Sequence, residues 1–358
     1  MGSREEIPAS NDEIEAGNLL STGSTTLNLA ISNNPHGAFL PGRYYFVVGD
    51  SSSGKTFVTL TCFAESTSHP LYKDYELYYD GAEFGNNIDM VRFFGEKTAA
   101  RVKPPRVDEN GVGLPSFTIE DFYDNVWAAL GRERPMIYVL DSMDALTSEQ
   151  EVAKAESDKK AREEGNDYSG IMTDGKAKIN SQRLRPVVNK LGVHGSILII
   201  LNQTRDSMAK FGPKKTRSGG RALKFYATVE IWTSRKSTIN QTVRGSARQV
   251  GIVVEAECKK NRITGGEHTV EFPIYHSYGI DDIGSCIEYL ITEGTFPKVT
   301  KQSIEPKGLL GVPQITPAKL AEMVSEDADL LYKLRDMCGQ TWNEIIALSS
   351  LKRKPRYE

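Results

Sequence analysis

The octapeptide Gly49-Asp50-Ser51-Ser52-Ser53-Gly54-Lys55-Thr56 constrains this chain more than any other feature. It follows the apolar run RYYFVV and precedes the helix-like stretch FVTLTCFAE, so a full GxxxxGKT pattern lies between a strand and a helix. Glycines at both ends let the backbone fold around phosphate oxygens, with successive N–H groups and the helix N-terminus directed at negative charge. Lys55 then reaches the outer phosphates of a nucleotide, ATP being the candidate. Thr56 supplies a hydroxyl to Mg²⁺, an ion that prefers oxygen ligands. A chance Gly/Ser-rich turn is the competing reading, and the flanking strand and helix weigh against it.

A phosphate loop of this kind needs a sheet to carry it, and the rest of the chain supplies one. Apolar runs rich in β-branched and aromatic residues recur at 44–48, 76–79, 136–140, 197–201, 229–233 and 252–257. Helix-like stretches at 56–65, 119–129, 149–164 and 176–190 alternate with them, which predicts an α/β fold with a mainly parallel central sheet flanked by helices. SILIILNQ is apolar on both faces, as a central buried strand should be. Residues 1–24 are polar and read as an N-terminal arm, a candidate oligomerisation segment. Residues 25–300 read as the core, and 301–358 as a small helical C-terminal region whose tail, LKRKPRYE, is either a solvated chain end or a contact for DNA or a partner.

Two acidic positions complete the site. MIYVLDSMDAL places Asp141 after an apolar strand, where a carboxylate holds Mg²⁺, usually through water; a plain helix N-cap is the competing reading. Ser142 and Asp144 read as capping or turn residues. Glu83, just after the strand ELYYD, is the candidate to orient water for hydrolysis, against the reading of an ordinary acidic loop residue.

The composition, 39% hydrophobic and 25% charged, is that of a globular protein and excludes a disordered or fibrous chain. The formal net charge of −3 means that a nucleic-acid surface has to be built from local positive charge. Positive charge does concentrate: residues 205–224 hold seven Lys or Arg and one acid, Asp206, with Gly212, Gly219, Gly220 and Phe211 interspersed. Mobile cations there suit DNA phosphates and the glycines permit close approach, while a solvated loop is the alternative. Cys62, Cys258, Cys286 and Cys338 form no CxxC pair, which argues against a zinc site or disulfide scaffold and for a reducing, cytoplasmic setting. No apolar run has secretory or transmembrane length, so no membrane partner is expected, and Glu6 breaks an N-myristoylation pattern. The dispersed histidines lack metal spacing.

In order along the chain, STGSTTLNLA, GDSSSGKT, YYDGAEF, MIYVLDS, LNQTR, FGPKKTRSGGRALKFYATV, CKKNRI and YGID resemble the motifs of the RecA recombinase family, with its phage-encoded UvsX-type branch among the neighbours. The resemblance spans about residues 21–296. It implies a P-loop NTPase core of RecA type, and a homo-oligomeric helical filament on single-stranded DNA with ATP and Mg²⁺ between subunits. It also implies pairing with homologous duplex DNA, and single-strand-binding and loader proteins as further partners; for a phage-encoded chain the place of action is the host cytoplasm. Glu83 then matches the catalytic glutamate, and Gln203 the residue that senses the outer phosphate and orders the loop after it. Lys260 and Arg262 match two basic residues that reach a neighbouring subunit's ATP. Arg205, Lys210, Lys214, Lys215, Arg217, Gly219 and Gly220 match the second DNA-binding loop, and the segment 165–178, with Lys176 and Lys178, the first. YYDGAEF carries one residue more than the family pattern between Asp80 and Glu83, and Met90 stands where cellular members usually stack an aromatic on adenine. A hexameric replicative helicase and an ATP-gated DNA-binding scaffold or recombination mediator are the alternatives; the GGRALKFYA segment argues against the first, and retention of Glu83 and Asp141 against the second.

Overall fold

Alternate residues of the apolar runs face opposite ways, which sorts the interior into two cores on either side of one sheet. The structure is a computed structural model that describes residues 16–83, 88–164, 175–206, 215–217, 219–351 and 353. The chain enters through α1 (Thr25–Ser32), β1 (Tyr44–Gly49) and α2 (Lys55–Ser68), then β2 (Glu76–Asp80), α3 (Met90–Arg101) and the short edge strand β3 (Val102–Lys103). A two-stranded hairpin, β4 (Arg106–Val107) and β5 (Gly113–Leu114), precedes α4 (Ile119–Ala129), β6 (Met136–Leu140), α5 (Glu149–Glu163) and α6 (Gly175–His194). There follow β7 (Ile197–Asp206), β8 (Lys215–Arg217), α7 (Arg221–Tyr226), β9 (Val229–Val243), β10 (Ser246–Asn261), β11 (Thr269–Tyr275) and β12 (Gly279–Ile280), and then α8 (Asp282–Thr292), α9 (Pro317–Glu326) and α10 (Ala328–Ser349).

The main sheet runs β12-β11-β10-β9-β1-β7-β6-β2-β3, with β8 paired to β7. Every pairing from β9 through β1 to β3 is parallel, whereas β9 to β12 pair antiparallel. Tyr45, Val47, Leu77, Ile137, Val139, Ile199 and Leu201 pack on the α2 side with Val58, Leu60 and Phe63. Tyr44, Phe46, Val48, Tyr138, Leu140, Leu198 and Ile200 pack on the other side with Phe122 and Val126 of α4 and Leu184, Val187 and Leu191 of α6. Burying each such side chain is worth about 1.5–3 kcal/mol, so a one-residue slip of β1 or β7 would exchange two complete layers. The register is therefore strongly specified.

Local signals fix where α4 and α5 begin. Thr118 and Asp121 form a reciprocal capping box at α4, and Ser148 and Glu151 another at α5. A third apolar cluster joins Leu29 of α1, Cys286 and Leu290 of α8, Leu320 of α9, and Leu334 and Cys338 of α10. It is fastened by Arg335, whose guanidinium bonds Asp282 at 2.8 and 2.9 Å while Asp282 also accepts from the Thr25 backbone N–H at 2.6 Å. The four cysteines are buried and unbridged. Among the described residues no helix is long and apolar enough to cross a membrane.

Candidate nucleotide site and the stem of a basic loop

Parallel pairing brings the carboxyl ends of β1, β7, β6 and β2 to one edge, the edge at which open α/β sheets form a ligand crevice. In register, Gly49 lies beside Gln203, and Leu140 beside Asp80. A cavity of about 400 Å³ opens there, lined by residues 51–57, Glu83, Ile88 and Gln203.

Gly49 admits no side chain, because a Cβ would meet the Thr233 and Ser53 hydroxyls, which bond each other at 2.9 Å. Gly54 starts α2 at φ +85°, a conformation glycine adopts without strain. The loop thus presents the amino end of a fourteen-residue helix to the cavity. Lys55 is buried and donates from Nζ to the Asp50 carbonyl at 2.8 Å. Burial pulls its ammonium below the usual lysine range, opposed by the carboxylates of Asp141, Glu83, Asp144 and Asp50.

Thr56 Oγ1 donates to Asp141 Oδ2 at 2.7 Å, and the Tyr79 hydroxyl donates to the same oxygen at 3.1 Å. Burial raises the Asp141 carboxyl above the usual range; the neighbouring Glu83 adds to this and the Thr56 bond opposes it. A hydroxyl and a carboxylate side by side are the hard oxygen donors that Mg²⁺ takes, so these residues fit the ion.

Glu83 has the most closely defined surroundings. Its Oε1 accepts from Ser142 Oγ at 2.7 Å and from Gln203 Nε2 at 2.8 Å, and its backbone N–H donates to the Asp141 carbonyl at 3.0 Å. The chain turns tightly after Asp80, where the Ala82 N–H donates to the Asp80 carbonyl at 3.1 Å. Asp144 Oδ2 accepts from the Gln203 N–H at 2.5 Å. Ser142 and Asp144, expected as capping or turn residues, therefore hold Glu83 and Gln203. Asp80, not singled out from the sequence, anchors the end of β2: it accepts from Ser116 N and Oγ at 2.8 and 2.6 Å and from the Tyr138 hydroxyl at 2.7 Å. The signal for it is an acid that closes the strand run ELYYD.

The model of the RecA N-terminal domain matches residues 134–281, a span that includes Asp141, Gln203 and the basic segment. Protein RecA of Corynebacterium efficiens is 29% identical over 282 residues, covering 78% of this chain and 64% of that protein. Protein RecA of Paracoccus denitrificans is 29% identical over 289 residues, covering 80% and 70%. By these matches the chain is similar to the RecA-type recombinase family. It spans about two thirds of the length of these relatives. A crystal structure of the RadB recombinase aligns with a TM-score of 0.48 at 17% identity, covering 73% of this chain and 98% of that one.

The remaining predicted residues fall into several groups. Lys260 Nζ donates to the carbonyls of Lys224 and Phe225 at 2.6 and 2.8 Å, and the Arg262 guanidinium lies 5.8 Å from the Phe225 ring centre; neither lines the cavity of its own chain. Arg205 and Lys215 stand on the antiparallel stem β7–β8, which pairs Thr204 with Arg217 and Asp206 with Lys215. Arg205 reaches Asp144 at 3.5 Å, and Lys215 pairs with Asp50. Lys210, Lys214 and residues 165–174 lie outside the described residues. Gly219 and Gly220 take φ +81° and +83°, and a Cβ on Gly220 would strike Ala177 of α6. Lys178 is exposed, whereas Lys176 donates to the Leu146 carbonyl at 2.5 Å and lies 3.6 Å from Glu151.

Proposed function

We propose that this chain is an ATP-dependent recombinase that assembles as a filament on single-stranded DNA in the cytoplasm and pairs it with homologous duplex. One observation carries the reading: the Gln203 side chain bonds Glu83 at the phosphate cavity, while its strand continues as the stem of the basic segment. A change at the outer phosphate of ATP is thereby passed to residues 205–217 by a single side chain.

In this reading residues 49–56 hold the phosphates and Lys55 turns from the Asp50 carbonyl to the outer phosphate oxygens. Glu83, oriented by Ser142 and Gln203, positions the attacking water. Thr56 and Asp141 would hold Mg²⁺, which neutralises phosphate charge when bound. Lys260 and Arg262 act on a neighbouring subunit's nucleotide, where their charge opposes that of the transferring group. Arg205, Lys215, Arg217 and Lys178 join Lys210 and Lys214 in contacting DNA phosphates, with single-strand-binding and loader proteins assisting assembly.

The test is ATP hydrolysis with and without single-stranded DNA at two salt concentrations, followed by joint-molecule formation with homologous duplex. Salt-sensitive stimulation and homology-dependent pairing are expected. Unstimulated hydrolysis would turn the assignment to an ATP-gated scaffold or mediator, and unwinding without homology to a helicase.

A further inference from the structure

We propose that Asp50 is a latch through which the phosphate loop controls the stem of the basic loop. The inference rests on the reading above and adds a second connection to it. Asp50 is the second residue of the phosphate loop, and its carboxylate takes one partner from each strand of the stem. Thr204 Oγ1 of β7 donates to Oδ1, and Lys215 Nζ of β8 bonds Oδ2. The stem pairs Arg205 with Thr216 between these contacts, so Asp50 ties both of its strands together. The backbone of the same residue holds the phosphate-loop lysine, since its carbonyl accepts Lys55 Nζ at 2.8 Å.

Phosphate binding and the latch therefore compete for one residue. The Lys55 ammonium has to leave the Asp50 carbonyl to meet a phosphate oxygen, which moves the backbone that carries the carboxylate. The phosphate also brings negative charge beside that carboxylate, and like charges repel. Both changes weaken the hold on Thr204 and Lys215 and release the Lys215 ammonium for a DNA phosphate. On the opposite side of β7, Asp144 holds the Gln203 N–H and reaches Arg205, so the strand has a second anchor while the Asp50 side opens. Lys215 and Thr204 keep the Asp50 carboxyl below the usual range, in line with a carboxylate engaged by a cation.

The experiment measures the reactivity of the Lys215 amine toward an acetylating reagent by peptide mass spectrometry, in full-length wild type, Asp50→Asn and Thr204→Val. A magnesium complex of a slowly hydrolysed ATP analogue is present or absent, its binding to wild type checked by fluorescence. In wild type the analogue should raise reactivity about two- to fivefold, the range an exposed ion pair supports. In Asp50→Asn, without nucleotide, reactivity should already be at that level, and Thr204→Val should lie between. Should Asp50→Asn fail to fold, Thr204→Val decides from the stem side. Unchanged Lys215 reactivity in a wild type that binds the analogue would overturn the latch, as would a failure of wild type to bind it. Increased reactivity with no nucleotide-dependent gain in single-stranded DNA affinity would keep the latch and overturn the recombinase reading.

Discussion

The two halves of the sheet use the same backbone geometry for opposite purposes. In the parallel half every residue of β1 and β6 is buried, and the strands end together at the phosphate loop, Asp141 and Gln203. In the antiparallel half β9 and β10 outrun their neighbours: from Arg235 to Gln249 every residue except Ile239 is exposed. Arg244 and Gly245 turn this ribbon at φ 52° and 79°, and its register shifts between Gln249 and Gly251 and again between Val253 and Val254. Packing on both faces fixes side chains to the tolerance that the proposed water positioning and phosphate binding require. A two-stranded ribbon without such packing keeps its hydrogen bonds and loses that precision. Arg235, Lys236, Arg244 and Arg248 stand on the ribbon with no acid between residues 235 and 249. Removing one of these cations from water-facing positions should cost little stability.

The largest expected effect tests whether chemistry belongs to the parallel half alone. Lys55→Ala should lower ATP hydrolysis by about 100-fold or more, while Thr238→Ala on the ribbon should leave DNA-free hydrolysis within about twofold, as befits a surface substitution. Phosphate release by clean preparations checks both, and undiminished turnover in Lys55→Ala would remove the lysine from the site. Next in size is stability: Ile200→Ala, at a fully buried position of β7, should cost about 2–5 kcal/mol in urea unfolding. Thr238→Ala should stay within about 0.5 kcal/mol, and equal costs at the two positions would erase the distinction between the halves.

The smallest effect is a pH dependence at the edge of the parallel half. Burial pushes the Glu76 carboxyl upward, but the Tyr78 hydroxyl at 2.6 Å, Lys103 at 3.0 Å and Arg132 at 3.4 Å outweigh it and hold the carboxyl below the usual range. A depressed carboxyl leaves the unfolded chain binding more protons, so stability rises with pH across that interval. The contribution of Glu76 should be complete above the ordinary glutamate pKa of about 4.3 and fade as pH falls through the folded value. Lys103 and Arg132 are about half in water, so the gain stays below about 1 kcal/mol. Comparing Glu76→Gln with wild type by urea unfolding at acidic and neutral pH checks the sign, and a difference that grows on acidification would contradict it.

Much of the parallel half was legible because its strands are unbroken apolar runs: 44–48, 136–140 and 197–201 fall within β1, β6 and β7. The ribbon was not, since Val229 and Ile252 start short apolar runs while SRKSTINQTVRGSARQ between them is almost entirely polar and carries no apolar alternation. β11 escaped notice for a similar reason, with Thr269, Glu271 and Pro273 interrupting its apolar positions. At the site, the GxxxxGKT pattern could be read because its residues are consecutive. The partnerships of Glu83 could not, because Ser142 and Gln203 are 59 and 120 residues away and meet it only across neighbouring strand ends.

By itself, the order of residues determined the alternation of strand and helix, the GxxxxGKT octapeptide, and the pairing of each apolar side chain with one face of the sheet. These depend on local conformational preference and on a period of two or of 3.6 residues, both of which act over a few positions. Only the tertiary structure decided that Glu83 is held by Ser142 and Gln203, that Asp80 is an anchor, and that Asp50 grips the stem of the basic loop through Thr204 and Lys215, 154 and 165 residues further on. Such contacts follow from strand order and register, which are set by burying two whole layers of side chains at once and are written in no short stretch of the chain.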